Sequence, residues 1–332
     1  MDTDAPTRNT AHTEAGHEAP AAARAAAIVV ALTTLIAIVA IAFALPASRS
    51  APHDVPIGVA GPPVLTTQIT DQVGRAAPGA FAVTVYSEAA GLREAILNRD
   101  AYGGIVVDQQ GPTLLIATGA SPAVAAMLGQ LGSGMAQATG MPLRTEDLAP
   151  PTADDPRGAG LAATALPITL AAILPAIALV LALKREVWIR LTAAVAFAPV
   201  AGISVAAILT YVLGLVETNF WGVAAGLTLG IAAALLPILG LGSMFGRAGL
   251  AVGAVLALLV GNPLSGIAGA PELLPAGWGA FGQLLPQGAT ATLLRSTTYF
   301  SGAGATSAVV VLTCWAVVGA LLVAIAAARQ KQ

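Results

Sequence analysis

Three histidines, one cysteine and two lysines are all this chain offers of the side chains that most often carry nucleophilic or metal chemistry. His12 and His17 stand close to Glu14 and Glu18, a spacing that could hold a divalent cation weakly. Their surroundings show no periodicity, and ligands that no fold holds together bind poorly, so a solvated tail is the expectation. His53 and Asp54 adjoin and read as a solvated turn rather than half of a catalytic pair. Cys314 lies inside an apolar run as a small packed thiol, which leaves neither a disulfide framework within the chain nor a cysteine metal site. A phosphate loop of the form GxxxxGKS or GxxxxGKT needs a glycine before its lysine, but Lys184 follows Leu183 and Lys331 follows Gln330. The chain is therefore not expected to hydrolyse ATP. HExxH and GxSxG are missing too, so no enzyme activity, cofactor or metal is expected.

Two charged clusters remain. Lys184, Arg185 and Glu186, with Trp188 and Arg190, make a short amphipathic turn between apolar runs. One reading is a positive anchor with an interfacial tryptophan; the other is a docking turn for a cytoplasmic partner, with Arg247 as a secondary contact. At the opposite rim stand Glu217, Glu272 and Arg295, and Arg295, in TLLRSTTYF, is expected to snorkel from an apolar helix face into headgroups. No Asp, Glu, His, Lys or Arg sits in the middle of any apolar run, although proton-driven transporters keep such groups despite a cost of about 2.5–3.5 kcal/mol at a helix centre. A proton relay is not expected, while sodium held by backbone carbonyls stays open.

The elements that would position these groups are mostly lipid-soluble. Of 332 residues, 56% are hydrophobic and 10% charged, against about 25% charged in a soluble domain, and the mean hydropathy is +0.80. The chain reads as a polytopic α-helical membrane protein. Its net charge of −2 is sorted by region and points to no nucleic-acid partner. Residues 1–24 read as a disordered cytoplasmic tail. Residues 25–45 are uncharged, longer than a signal-peptide core and followed by no clean small-x-small cleavage site, so a retained anchor is expected rather than a cleaved signal.

Charge returns over residues 48–140, which read as a small extracytoplasmic α/β domain. Strands are expected over 55–60, 81–86, 103–107 and 113–118, and helices over 64–75 and 88–99, the second capped by Ser87; Ser121 and Pro122 open another helix. This β-α-β-α-β-β-α order implies right-handed crossovers. Residues 141–160, rich in proline and charge, read as a linker.

Residues 161–328 read as a transmembrane domain of five helices, over 161–183, 191–216, 220–241, 248 to about 262, and 306–328, making about six spans with the first. The run from 248 is short and must borrow from residues 242–247 or extend past Pro263. If every run crosses once, Lys184, Arg185, Arg190, Arg247, Arg329 and Lys331 share one side, which the positive-inside rule makes cytoplasmic. Both termini are then inside, with 329–332 as a cytoplasmic tail. Residues 263–304, broken by four prolines and flanked by Asn262, read as an outward interfacial cap carrying Ser265, Glu272, Trp278, Phe281, Arg295 and Tyr299.

This arrangement resembles the ABC type-2 exporter permeases, in particular their YhgE/Pip-like (phage-infection-protein-like) branch. GLREAILNRDAYGGIVVD at 91–108 is similar to the part of that family's outer domain where a helix leads into a glycine-containing strand. NPLSG at 262–266, PELLP at 271–275 and LPQGATATLLRSTTYFSG at 285–302 are similar to the run before its last span. The likeness covers most of the chain from about Ala25, although the outer domain lacks the long helical extensions of the branch's larger members. It implies a multi-pass permease of a bacterial cell membrane that pairs as a homodimer or with a second permease, relies on a separate ABC ATPase subunit, and moves a lipidic, drug-like or envelope-related substrate outward. The alternative is a non-transporting envelope scaffold or receptor-like membrane protein.

Overall fold

The computed structural model describes residues 20–109, 111–140 and 142–330. His12, Glu14, His17, Glu18 and Lys331 lie outside the described residues, as does most of the stretch read as a tail. The chain divides into residues 1–41 and residues 42–332. Helix α1 (Ala21–Ser48) begins four residues before the expected anchor, because Ala21, Ala22, Ala23 and Arg24 are strong helix formers.

After α1 comes a mixed five-stranded sheet in the order β2-β1-β3-β4-β5. Strands β1 (Val55–Ala60), β2 (Phe81–Tyr86) and β3 (Gly103–Asp108) are parallel, β4 (Gly111–Ile116) returns antiparallel along β3, and β5 (Arg144–Asp147) runs parallel to β4. Alternation sends Val55, Ile57, Ile105 and Leu114 to one face, under α2 (Pro63–Ala76) and α4 (Pro122–Thr139). Ala60, Val106 and Leu115 go to the other face, under α3 (Ala89–Leu97). Ser121 caps α4 as expected, its Oγ accepting from the Val124 amide at 3.2 Å. Ser87 does not cap α3, whose N-cap position is held by Glu88 without a side-chain bond.

Residues 141–160 are not a free linker. Arg144–Asp147 forms the edge strand, with no apolar residue to announce it, and Arg93 on α3 pairs with Glu146 through two bonds of 2.6 and 2.5 Å. Further on, Asp155 accepts from the amides of Ala159 and Gly160 at 3.0 and 2.7 Å, which fixes the start of the next helix.

Among the described residues, five helical stretches are long and apolar enough to cross a membrane: 21–48, 160–182, 187–212, 220–261 and 306–329. The second joins α5 (Gly160–Ala163) to α6 (Ala165–Ala182), and the third is α7 (Val187–Ala207) with a π turn to Val212. The fourth, 42 residues long, is α8 (Phe220–Val255) continued by π turns to Gly261. It is not one rod. At Gly246 the backbone takes φ 62 and ψ −136, a conformation essentially confined to glycine, and beyond it Gly249 and Gly253 pack against Leu241 and Ile238, so the chain doubles back. The two apolar runs read over 220–241 and 248–262 are the limbs of this hairpin.

Helix α8 is the hub, and small residues let its neighbours approach closely. A Cβ on Gly202 of α7 would strike Thr228, and one on Gly319 of α11 (Thr306–Arg329) would strike the backbone of Leu236 and Pro237. Residues 263–304 pack against the bundle and the sheet. They contain α9 (Trp278–Gln283) and α10 (Pro286–Tyr299), and eleven of the 14 residues of α10 are buried. Gly226 and Gly230 of α8 face Leu293 and Thr290 of α10, while Phe300 and Ala270 complete the two cores of the sheet. Two buried threonines of α10 are satisfied within the helix, Thr290 Oγ1 donating to Pro286 O at 2.6 Å and Thr297 Oγ1 to Leu293 O at 3.0 Å, while the buried Thr298 Oγ1 has no partner.

Candidate functional site

The joint between sheet and bundle is built on two arginines. Arg295, mid-way along α10 and 4% exposed, donates from Nη2 to the carbonyls of Gly266, Ile267 and Gly269 at 3.0, 2.6 and 2.9 Å. It therefore does not snorkel into headgroups. The irregular loop before α9 leaves carbonyls that no helix satisfies, and the guanidinium fork meets them. Burial pulls its pKa down to about 10. Arg99 approaches from the other side: just past α3 the chain turns at φ 67, and Nη1 donates to Thr292 O and Ser296 Oγ at 2.9 and 2.6 Å. Its guanidinium lies 5.5 Å from the centroid of the Phe300 ring, and burial lowers its pKa.

Around this joint, the Tyr102 hydroxyl donates to Glu272 Oε2 at 2.8 Å; burial, then the charge of Glu272, pushes the phenol's pKa up. His53 is half-buried, its amide donating to Glu272 O at 3.0 Å and its Nδ1 buried without a partner, while the adjoining Asp54 is exposed. A crevice of about 710 Å3 opens here, within the size range of small-molecule sites. Its lining includes His53, Asp54, Arg99, Asp100, Tyr102 and Glu272 together with Leu274, Leu284, Val311, Gln283 and Thr292.

Of the residues expected on the cap, Asn262 Oδ1 accepts from Thr169 Oγ1 at 2.7 Å, and Ser265, 2% exposed, donates to Asn262 O at 2.7 Å. With Arg295 they hold the loop rather than face a membrane surface. Tyr299 is half-buried over Gly119, and burial pushes its pKa up to about 12. Trp278 and Phe281 are 37% and 51% exposed. Sequence reasoning missed Arg99 and Tyr102, because their partners lie 170 and more residues downstream. The available signal was a non-glycine residue ending α3 with an arginine and a tyrosine in the turn.

No protein-family model, curated protein or solved structure matches this chain. The likeness to exporter permeases thus rests on the motifs quoted above. Among the described residues no three His, Cys, Asp or Glu side chains gather as a metal site.

At the far end of α11 the other expected site is half assembled. Lys184, Arg185, Glu186 and Trp188 are exposed, and Arg185 and Trp188 border a crevice of about 410 Å3 beside Ala327 and Gln330 of the α11 terminus. Arg190 is not part of that surface. It is 3% exposed and donates from Nε to Leu183 O and from Nη2 to Lys184 O, both at 2.7 Å, and from Nη1 to Ser243 Oγ at 3.1 Å. The bond to Ser243 brings the Gly246 reversal, with exposed Arg247 and Phe245, to the same end as the 183–190 turn.

Proposed function

We propose that this chain is the membrane-spanning subunit of an ATP-driven exporter of the ABC type-2 kind, working with a separate ATPase. The observation that carries the reading is the run of α11. Its first turns, at Ser307 and Ala308, line the 710 Å3 crevice, and its last, at Ala327, borders exposed Arg185 and Trp188. A 24-residue helix is about 36 Å long, so one rigid element links a partner-facing turn to a ligand-sized crevice across the depth of a bilayer. Both limbs of the Gly246 hairpin cross in this reading, giving six spans. The second limb, roughly 15 residues or about 22 Å, is short for a 30 Å core and is completed by the loop that Arg295 holds. Gathering of Lys184, Arg185, Arg247 and Arg329 at one end supports that end as cytoplasmic, with the sheet outside and both termini inside. The cargo is lipidic, drug-like or envelope-related, and the subunit pairs with a second copy or a second permease.

Mild-detergent purification of tagged protein from its own host, with mass spectrometry of the co-eluting chains, tests this. The expected result is an ATPase bearing a phosphate loop at near-equal stoichiometry, lost when Arg185→Glu and Trp188→Ala are combined. Recovery of envelope proteins alone, under conditions that keep weak contacts, would favour the scaffold reading and end this one.

A further inference from the structure

The loop that Arg295 holds uses only part of its guanidinium. All three bonds leave from Nη2; among the described residues Nε and Nη1 donate to nothing, though neither is wholly enclosed. Arg295 borders a cavity of about 100 Å3, whose lining includes Gly119, Arg157, Leu161, Ile267 and Tyr299. That is room for about three waters or one tetrahedral oxyanion. The charged and phenolic side chains of this lining, Arg157, Arg295 and Tyr299, can all donate, and no carboxylate is among them. Arg157 and the Tyr299 hydroxyl have no partner among the described residues. The backbone that carries Arg157 is fixed: the Gly158 amide donates to Asp155 O at 2.8 Å, and Asp155 commits its two carboxylate oxygens to the amides of Ala159 and Gly160.

Charge is out of balance at this point. Arg99 and Arg295 repel each other, and Glu272, the carboxylate that offsets them, accepts from Tyr102. Among the described residues no carboxylate lies within 4.0 Å of Arg157 or Arg295. A buried guanidinium without a counter-charge is costly, and a bound anion would remove that cost. Leu161 and Ala162 of the lining stand at the start of the span Gly160–Ala182, so the cavity lies where an apolar helix leaves the headgroups, at the depth of a leaflet's phosphates.

We propose that this cavity binds one phosphoryl group, its oxygens taken by the unused guanidinium donors of Arg295, by Arg157 and by the Tyr299 hydroxyl. Arginine–phosphate bonds are charge-assisted, and three converging donor groups suit a tetrahedral oxyanion better than a planar carboxylate. The group arrives as free phosphate from the aqueous side or as the head of a phosphomonoester lipid. Neither source needs an ATPase or a transported cargo, so this inference stands apart from the export reading.

The test places the full chain in nanodiscs of digalactosyldiacylglycerol, an uncharged lipid without phosphate. Hydrogen–deuterium exchange is read on peptides covering 156–163 and 266–270, with β1 as the internal reference. One arm titrates inorganic phosphate against chloride at equal ionic strength; the other dopes the discs with phosphatidic acid against an equal share of oleic acid. Saturable slowing of about threefold or more at both peptides is expected in at least one arm, and the arm that shows it names the source. Arg157 is exposed, so Arg157→Glu should keep β1 exchange unchanged while removing the protection. Tyr299→Phe should weaken the apparent affinity about tenfold, as loss of one bond to a charged group predicts. Protection in neither arm, equal protection by chloride or oleic acid, or full protection retained in Arg157→Glu overturns the proposal.

Discussion

Replacing Arg295 with methionine keeps most of the side chain's volume and removes its donors. Nη2 has two hydrogens for the three carbonyls of Gly266, Ile267 and Gly269, so about two charge-assisted bonds hold the loop at any moment. At the lower end for bonds to a charged group, about 1.5 kcal/mol each, they contribute about 3 kcal/mol against opening of that loop. The cost of burying the guanidinium does not offset this locally, because Arg295 stays buried in α10 when only the loop opens. Amide exchange in the loop tracks that opening free energy, so Arg295→Met should speed exchange of the Ile267 and Gly269 amides about 100-fold, at about 1.4 kcal/mol per tenfold. Arg295→Lys, a point donor without the fork, should fall between. The assay is hydrogen–deuterium exchange by mass spectrometry on detergent-solubilised protein, with peptides from β3 and β4 as the internal reference. A change under about threefold at the loop would refute the clamp. Uniform loss of protection that includes β3 and β4 would refute its local character.

Other residues give sharper contrasts. At Gly246 an added Cβ would meet nothing within 4 Å, so Gly246→Ala isolates the backbone cost of φ 62 and ψ −136, about 1–3 kcal/mol, and should lower the thermal unfolding midpoint; an unchanged midpoint would contradict the hairpin geometry. Arg190→Glu should sharply reduce the yield of monodisperse protein in fluorescence size-exclusion, while Arg185→Glu should leave it unchanged; equal yields would mean Arg190 is not the buried member of that turn. Glu146 has its pKa lowered by its bond to Arg93, so the pair's stabilisation is present above the ordinary glutamate value of 4.5 and is lost as pH falls through the lower folded value. With side chains 38% and 45% exposed the pair is worth at most about 1 kcal/mol, seen as faster β5 exchange in acid that Glu146→Gln removes from the pH profile.

What was legible in the sequence is what repeats locally. Strand β2 alternates, β1, β3 and β4 are short apolar runs bounded by turn residues, Ser121-Pro122 announces a helix start, and apolar runs of bilayer length locate the spans. Arg144–Asp147 was not legible because a short polar edge strand has no buried face and so no alternation. The place of α10 was not legible either. Its burial depends on glycines 226 and 230 about sixty residues upstream, and the sheet it supports uses Phe300, which closes a core begun at Ala60.

The two misread arginines share one cause. Arg190 and Arg295 each stand near a Gly- or charge-marked turn beside an apolar helix, where the default is an outward-pointing cation. Both turn inward, and both meet backbone carbonyls of an adjacent irregular segment, Leu183 and Lys184 in one case and Gly266, Ile267 and Gly269 in the other. At bilayer depth an unbonded carbonyl has no water to turn to, so a non-helical turn tucked against a bundle needs donors from the chain itself. A guanidinium supplies several in one plane, which an ammonium cannot. It follows that the arginines next to irregular turns are the fold's internal ties, while the charges left exposed are their neighbours: Lys184 and Arg185 at one end, and Asp54 and Asp100 at the other.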